Sequence, residues 1–208
     1  MRGPHIKIIV GPDAIEYSLP RALLCETSTY FQRALDNIFL ESHKNEVVLD
    51  DEDPKIFDTF AHWLLNGTMD GDLTFREVYD DEEHLVAVFI FGDKRGIPAL
   101  RNSAIAALAE YQEGSGATSD LICEVYRALP TTSPLRDYLV HDYLASGGDL
   151  TQHTFDSIPK EFLWKVLEER EKRDGDDTRD ETHPIKRICQ FHDHDSEEQK
   201  ETCKFNRK

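Results

Sequence analysis

The sequence predicts an α+β fold on three observations: apolar residues at a period of two near the N-terminus, a second short apolar run at Val47–Leu49, and a helical period in the apolar segments from Glu82 onward. Ile6, Ile8 and Val10 alternate with Lys7 and Ile9 as a strand mostly buried on one face would, and Gly11, Pro12 and Asp13 end it in a turn. Tyr17 and Leu19 then mark a return strand. Thr27, Ser28 and Thr29 offer capping hydroxyls ahead of Tyr30, Phe31, Ala34 and Leu35, which fall at helical spacing. The third strand, Val47–Leu49, runs into the acidic stretch Asp50 to Asp53. Asp53 as N-cap and Pro54 at the first helical position open the best-marked helix, whose Ile56, Phe57, Phe60, Trp63 and Leu64 share one face before Asn66 and Gly67 close it.

Beyond Glu82 the elements are helical. Leu85, Val88 and Phe89 belong to a segment ending at Gly92, and Ile97, Leu100, Ala104, Leu108 and Tyr111 to the next, an antiparallel pair by its short connection. Gly114, Ser115 and Gly116 read as a hinge. Two further helices carry Leu121, Ile122, Val125 and Tyr126 inward in one, and Leu135, Tyr138 and Leu139 in the other, with Ser133 and Pro134 as cap and first residue. A last helix, about Pro159 to Arg173, has Phe162, Leu163, Val166 and Leu167 as its stripe. Asp174 to Thr182 is acidic and lacks an apolar period, as a linker does, and no internal repeat is visible. The expected organisation is a domain over residues 1–112, a helical extension over 113–173, and an acidic linker with a Cys/His-containing tail over 174–208.

Composition narrows the function. The 208 residues hold 24 Lys+Arg against 41 Asp+Glu, a formal net charge of −17, which opposes a sequence-independent grip on nucleic acid or anionic lipid. The opening residues lack the basic and apolar regions of a signal peptide, and no stretch has the length of a membrane span, so a cytoplasmic or nuclear location is expected. Four cysteines, Cys25, Cys123, Cys189 and Cys203, are too few and too unevenly spaced for a secreted disulfide framework. Asn66, Gly67, Thr68 is accordingly read as a turn rather than a glycosylation site. Neither a P-loop, a dinucleotide fingerprint nor a nucleophile–base pair stands in the sequence, and a non-enzymatic chain is expected.

One set of residues has a familiar arrangement. Leu23, Leu24, Cys25, Ser28, Tyr30 and Phe31, followed by Phe39, Glu41, Val47, Leu49, Asp53, Pro54, Phe57, Phe60, Trp63 and Gly67, resembles the pattern of the BTB/POZ domain. Phe91, Gly92, Asp93, Lys94, Ile97, Pro98, Leu100 and Asn102, and later Val125, Tyr126, Leu129, Pro130, Thr132, Ser133, Pro134, Leu135 and Arg136, resemble the continuation in fungal members. The resemblance covers about Ile6 to Leu144. Pro20 and Arg21 stand where the family usually has His-Lys, which puts in doubt the contacts of that pair and not the fold. The resemblance implies a small mixed sheet packed on a helical cluster, with a C-terminal helical extension. It implies a protein-interaction module that forms homodimers or heterodimers with itself or another BTB protein, and either serves as a substrate adaptor for a cullin-based ubiquitin ligase or acts as a dimerising scaffold or transcription-associated protein. Met1 to His5 is too short for the exchanged N-terminal segment of many family dimers unless the start is truncated, which leaves dimerisation through the helical face as an open route.

Two candidate sites follow. Cullin adaptors of this family carry a hydrophobic-x-Glu motif in the loop before the third strand, and Phe39, Leu40 and Glu41 occupy that place; an aromatic can anchor in a partner's groove while the carboxylate meets a donor at the rim. The alternative is that Phe39 tucks beneath its own loop with Glu41 solvated. The second candidate is Cys189, His192, His194 and Cys203, spaced C-x2-H-x-H-x8-C. Two thiolates and two imidazoles complete a tetrahedral zinc set with no open position, a structural site, although the spacing is not that of a standard finger. The alternative is a solvated acidic tail with incidental Cys and His. His192, Asp193, His194 and Asp195 lack the further ligands a metallohydrolase needs, and Cys25 and Cys123, among apolar neighbours, read as inert core thiols.

Overall fold

The alternation at the N-terminus produces a hairpin: β1 (His5–Val10) and β2 (Ile15–Pro20) pair antiparallel with Ile6 opposite Leu19 and Ile8 opposite Tyr17, and Ile6, Ile8 and Val10 are buried. Gly11, at φ +73°, turns the chain where an L side chain would be strained, and an added Cβ would lie 3.0 Å from the Pro54 ring. In this computed structural model, which describes residues 3–41, 46–69, 81–113, 115–147, 157–174 and 184–203 and leaves out the side chains of 37–41 and 173–174, β3 (Glu46–Leu49) runs parallel to β1 on its other side. The sheet is therefore mixed, in the order β2-β1-β3.

Between β2 and β3 the chain makes two helices, α1 (Arg21–Thr27) and α2 (Thr29–Glu41). The sequence marks only the second, because α1 has no side-chain cap and buries fully only Leu24. Ser28 separates them: its hydroxyl accepts from Phe31 N at 3.1 Å, capping α2, and donates to Arg95 O at 2.7 Å. After β3, α3 (Pro54–Asn66) has every expected boundary signal, with the Asp53 carboxylate accepting from Lys55 N at 2.8 Å, Pro54 in the first turn, and Gly67 at φ +75° as its left-handed stop.

Two helices follow, α4 (Glu82–Lys94) and α5 (Pro98–Tyr111). Gly92 does not end α4 as the sequence predicts; the helix passes through it, and the left-handed residue is Gly96 at φ +59°, where an added Cβ would come within 2.2 Å of Thr29 Oγ1. The chain forms two structural units, Met1–Asp80 with Ala87–Ala104, and Asp81–Val86 with Ile105–Lys208, and both α4 and α5 contribute residues to each.

In the first unit the rings of Phe31, Phe57, Phe60 and Phe91 form the core, with Phe60 5.9 Å from Phe31, 5.4 Å from Phe57 and 5.2 Å from Phe91. The acidic run after β3 is met by cations: Lys94 Nζ donates to Asp51 at 2.7 Å and Glu52 at 2.8 Å, and the buried Arg95 reaches Glu52 at 2.6 Å while stacking over Tyr30.

The second unit contains α6 (Ser119–Ala128), capped by Thr118, α7 (Pro134–Ala145) and α8 (Lys160–Asp174). Leu135, Tyr138 and Leu139 are fully buried, and Phe162 meets Tyr126 and Tyr143 edge-on at 5.6 and 5.4 Å. Arg136 lies over the Tyr126 ring at 4.3 Å and bonds Glu161 at 3.2 Å. Three expectations need correction here. Leu167 is 60% exposed beside Trp164 at 64%, because among the described residues the buried line of α8 runs through Phe162 and Val166; Tyr111, the last residue of α5, is 49% exposed; and Ser133 stands at the N-cap of α7 without a side-chain capping hydrogen bond. Of the expected linker, residues 175–182 lie outside the described residues. Among the described residues no helix is long and apolar enough to cross a membrane.

Candidate metal centre

The C-terminal segment starts as a 3-10 stretch, Pro184–Phe191, whose helical geometry breaks at Arg187 (φ −124°, ψ 23°). Past that break Ile188 and Phe191 stand three residues apart, the period at which a 3-10 helix aligns its side chains, and both are buried. The chain then bends through His192 to Asp195 and enters α9 (Glu197–Glu201), whose N-cap Ser196 accepts from Gln199 N at 3.1 Å. Cys203 N donates back to Lys200 O at 3.3 Å, returning the second cysteine toward the first.

This path gathers Cys189, His192, His194 and Cys203, each offering one donor atom, with all four donors within 4.8 Å of one another. Cys189 Sγ lies 3.2 Å from His194 Nε2, and Cys203 Sγ lies 3.5 Å from His192 Nδ1. Cys189 and His192 are buried, His194 and Cys203 half-buried. A tetrahedral ion with bonds of about 2.3 Å to sulfur and about 2.0–2.1 Å to nitrogen has donor–donor edges of roughly 3.3–3.8 Å, so both closest pairs are near the spacing such an ion requires. The cluster can hold a metal ion, and its two soft and two borderline donors suit zinc.

Burial, followed by the neighbouring Cys203, pushes the Cys189 thiol up to about 11, since two thiolates in one half-buried pocket repel each other. A dication held by these residues would supply a counter-charge and take both sulfurs as thiolates. Beside the cluster opens a cavity of about 660 Å³, lined by Lys186, Gln190, Ser196, Lys200 and the donor residues Cys189, His192 and His194.

Phe191, between two of the donor residues in sequence, faces α7: its ring lies edge-on to Tyr138 at 5.6 Å and tilted over His141 at 5.4 Å. Tyr138 is fully buried and donates to Gln112 Oε1 at 3.0 Å, and burial raises its phenol far above the ordinary range. Asp142, one turn along and buried, accepts from Ala117 N at 2.9 Å. The sequence contained one signal for Phe191 as an anchor, its spacing of three from Ile188; its partners on α7 are long-range and left none.

The other candidate residues fall elsewhere. Phe39, Leu40 and Glu41 are the last residues of α2 rather than a loop, and their side chains lie outside the described residues. Cys25 is half-buried with its thiol pushed up by burial, and Cys123, also half-buried, contacts Ser157 O at 3.2 Å. In comparison with known proteins, no family model matches the chain and no curated protein gives a significant match.

Proposed function

We propose that this chain is a non-enzymatic protein-interaction module of the BTB/POZ type, and that Cys189, His192, His194 and Cys203 hold a structural zinc ion. The observation that carries the first part is where the BTB-like residues fall. Leu24, Ser28, Phe31, Val47, Leu49, Phe57, Phe60, Trp63, Phe91, Ile97 and Leu100 are buried and Asp53, Gly67, Lys94 and Pro98 are exposed, so the apolar part of the resemblance coincides with the core of the first unit. In the second unit Val125, Leu129, Ser133, Leu135 and Arg136 are likewise buried.

The partner is a protein: either a cullin, met through Phe39, Leu40 and Glu41 in the adaptor role, or a second BTB chain, met through a helical face in the scaffold role. A pull-down against purified cullin with the wild type and a Phe39→Ala, Glu41→Ala double variant separates these, with light scattering of each to establish mass and integrity. Retention by the wild type and its loss in a well-folded variant support the adaptor role. A dimeric wild type that ignores cullin leaves the scaffold. A folded monomer that captures neither overturns the interaction reading.

A further inference from the structure

We infer that the cluster is a closed zinc site with the ligand atoms Cys189 Sγ, His192 Nδ1, His194 Nε2 and Cys203 Sγ, and that its occupancy seats Phe191 against Tyr138 and His141. The inference rests on the zinc reading above and extends it from presence to role.

Burial orders little of the segment over residues 184–203. Pro184, Ile188, Cys189, Phe191 and His192 are its buried residues, and from Asp195 to Thr202 every residue is exposed. Its secondary structure is an eight-residue 3-10 stretch broken at Arg187 and a five-residue helix, neither long enough to persist alone. Two large apolar side chains do not offset the conformational entropy of fixing such a stretch. Four metal bonds do, because a site absent from the unfolded chain converts its binding free energy into folding free energy.

The ligands are placed to act on Phe191 in particular. Cys189 precedes it by two residues and His192 follows it directly, so an ion held by both fixes the backbone on either side of the ring. His192 N donates to Cys189 O at 3.3 Å, closing a turn around Phe191 that orients the ring toward α7. Cys203, eleven residues beyond His192, is the donor that brings α9 back onto this turn. Metal occupancy and docking of Phe191 are then one equilibrium, and an unoccupied site leaves the Tyr138 and His141 face of α7 uncovered.

The test uses the full chain, purified without chelator, then stripped and reloaded with zinc alone. Expected are one zinc per chain by elemental analysis and, on cobalt substitution, the visible bands of a tetrahedral two-sulfur, two-nitrogen site. Stripping should speed tryptic cleavage at Lys186 and Arg187 by about tenfold or more, as local opening replaces a docked segment. Cys203→Ser should reproduce that in the presence of zinc. Phe191→Ala should retain one zinc per chain yet be cleaved faster than the wild type, which separates binding from docking. A folded chain that binds no zinc overturns the zinc reading and the inference together. One zinc per chain with cleavage unchanged on stripping overturns the inference and leaves the zinc reading intact.

Discussion

Helix α3 and the segment over residues 184–203 differ in how much of their order packing supplies. Within thirteen residues α3 has its own start in Asp53 and Pro54, its own stop in Gly67, and a face of Ile56, Phe57, Phe60, Trp63 and Leu64 that is almost wholly buried. The C-terminal segment breaks its helical geometry after three residues, buries two large apolar side chains, and collects four metal donors instead. Where the chain affords enough apolar surface, packing decides the conformation; in the C-terminal segment the proposed zinc site would take that role. The difference teaches that stability in this molecule has two sources that respond to different perturbations.

The largest expected effect lies in the ring cluster. Phe60→Ala should destabilise the first unit by about 3–5 kcal/mol in denaturant unfolding, because Phe60 is fully buried between three other phenylalanines and the cavity cannot fully collapse. The loss should be the same with and without chelator; a chelator-dependent loss would break the distinction between the two regions. Next is Gly96→Ala, expected to cost about 1–3 kcal/mol in the same measurement, since a left-handed backbone and a 2.2 Å approach to Thr29 Oγ1 both oppose a side chain. Asp53→Ala should cost about 1 kcal/mol through loss of the cap on Lys55 N, and Asp53→Asn should restore most of it, which would show that α3 is bounded by a hydrogen bond rather than by charge. Smallest of all, Leu167→Ser should shift stability by no more than about 0.5 kcal/mol, because its side chain faces solvent on α8.

The same contrast explains how much of the molecule could be read before the structure. Local signals were readable: the alternation of β1, the cap, proline and glycine of α3, and the C-x2-H-x-H-x8-C spacing whose four donors the structure brings together. What escaped depends on distant residues. Helix α1 has neither a cap nor a wide apolar face, so nothing within its seven residues announces it. Gly92 and Gly96 are alike as glycines, and only the approach of Thr29 from elsewhere in the chain selects Gly96 for the turn. Leu167 belongs to the apolar stripe by its spacing, yet its side chain is exposed, and no element among the described residues buries it. The slot that receives Phe191 is built from Tyr138 and His141, some fifty residues away, and nothing in the local pattern around Phe191 points to them.

Hydrogen exchange on one sample, with zinc bound and again after stripping, compares the two regions directly. Amides of α3 should keep the same protection in both states, while those over residues 184–203 should be protected with zinc and exchange at least about tenfold faster without it. Equal protection of the C-terminal segment in both states, or loss of protection in α3 alongside it, would contradict the account.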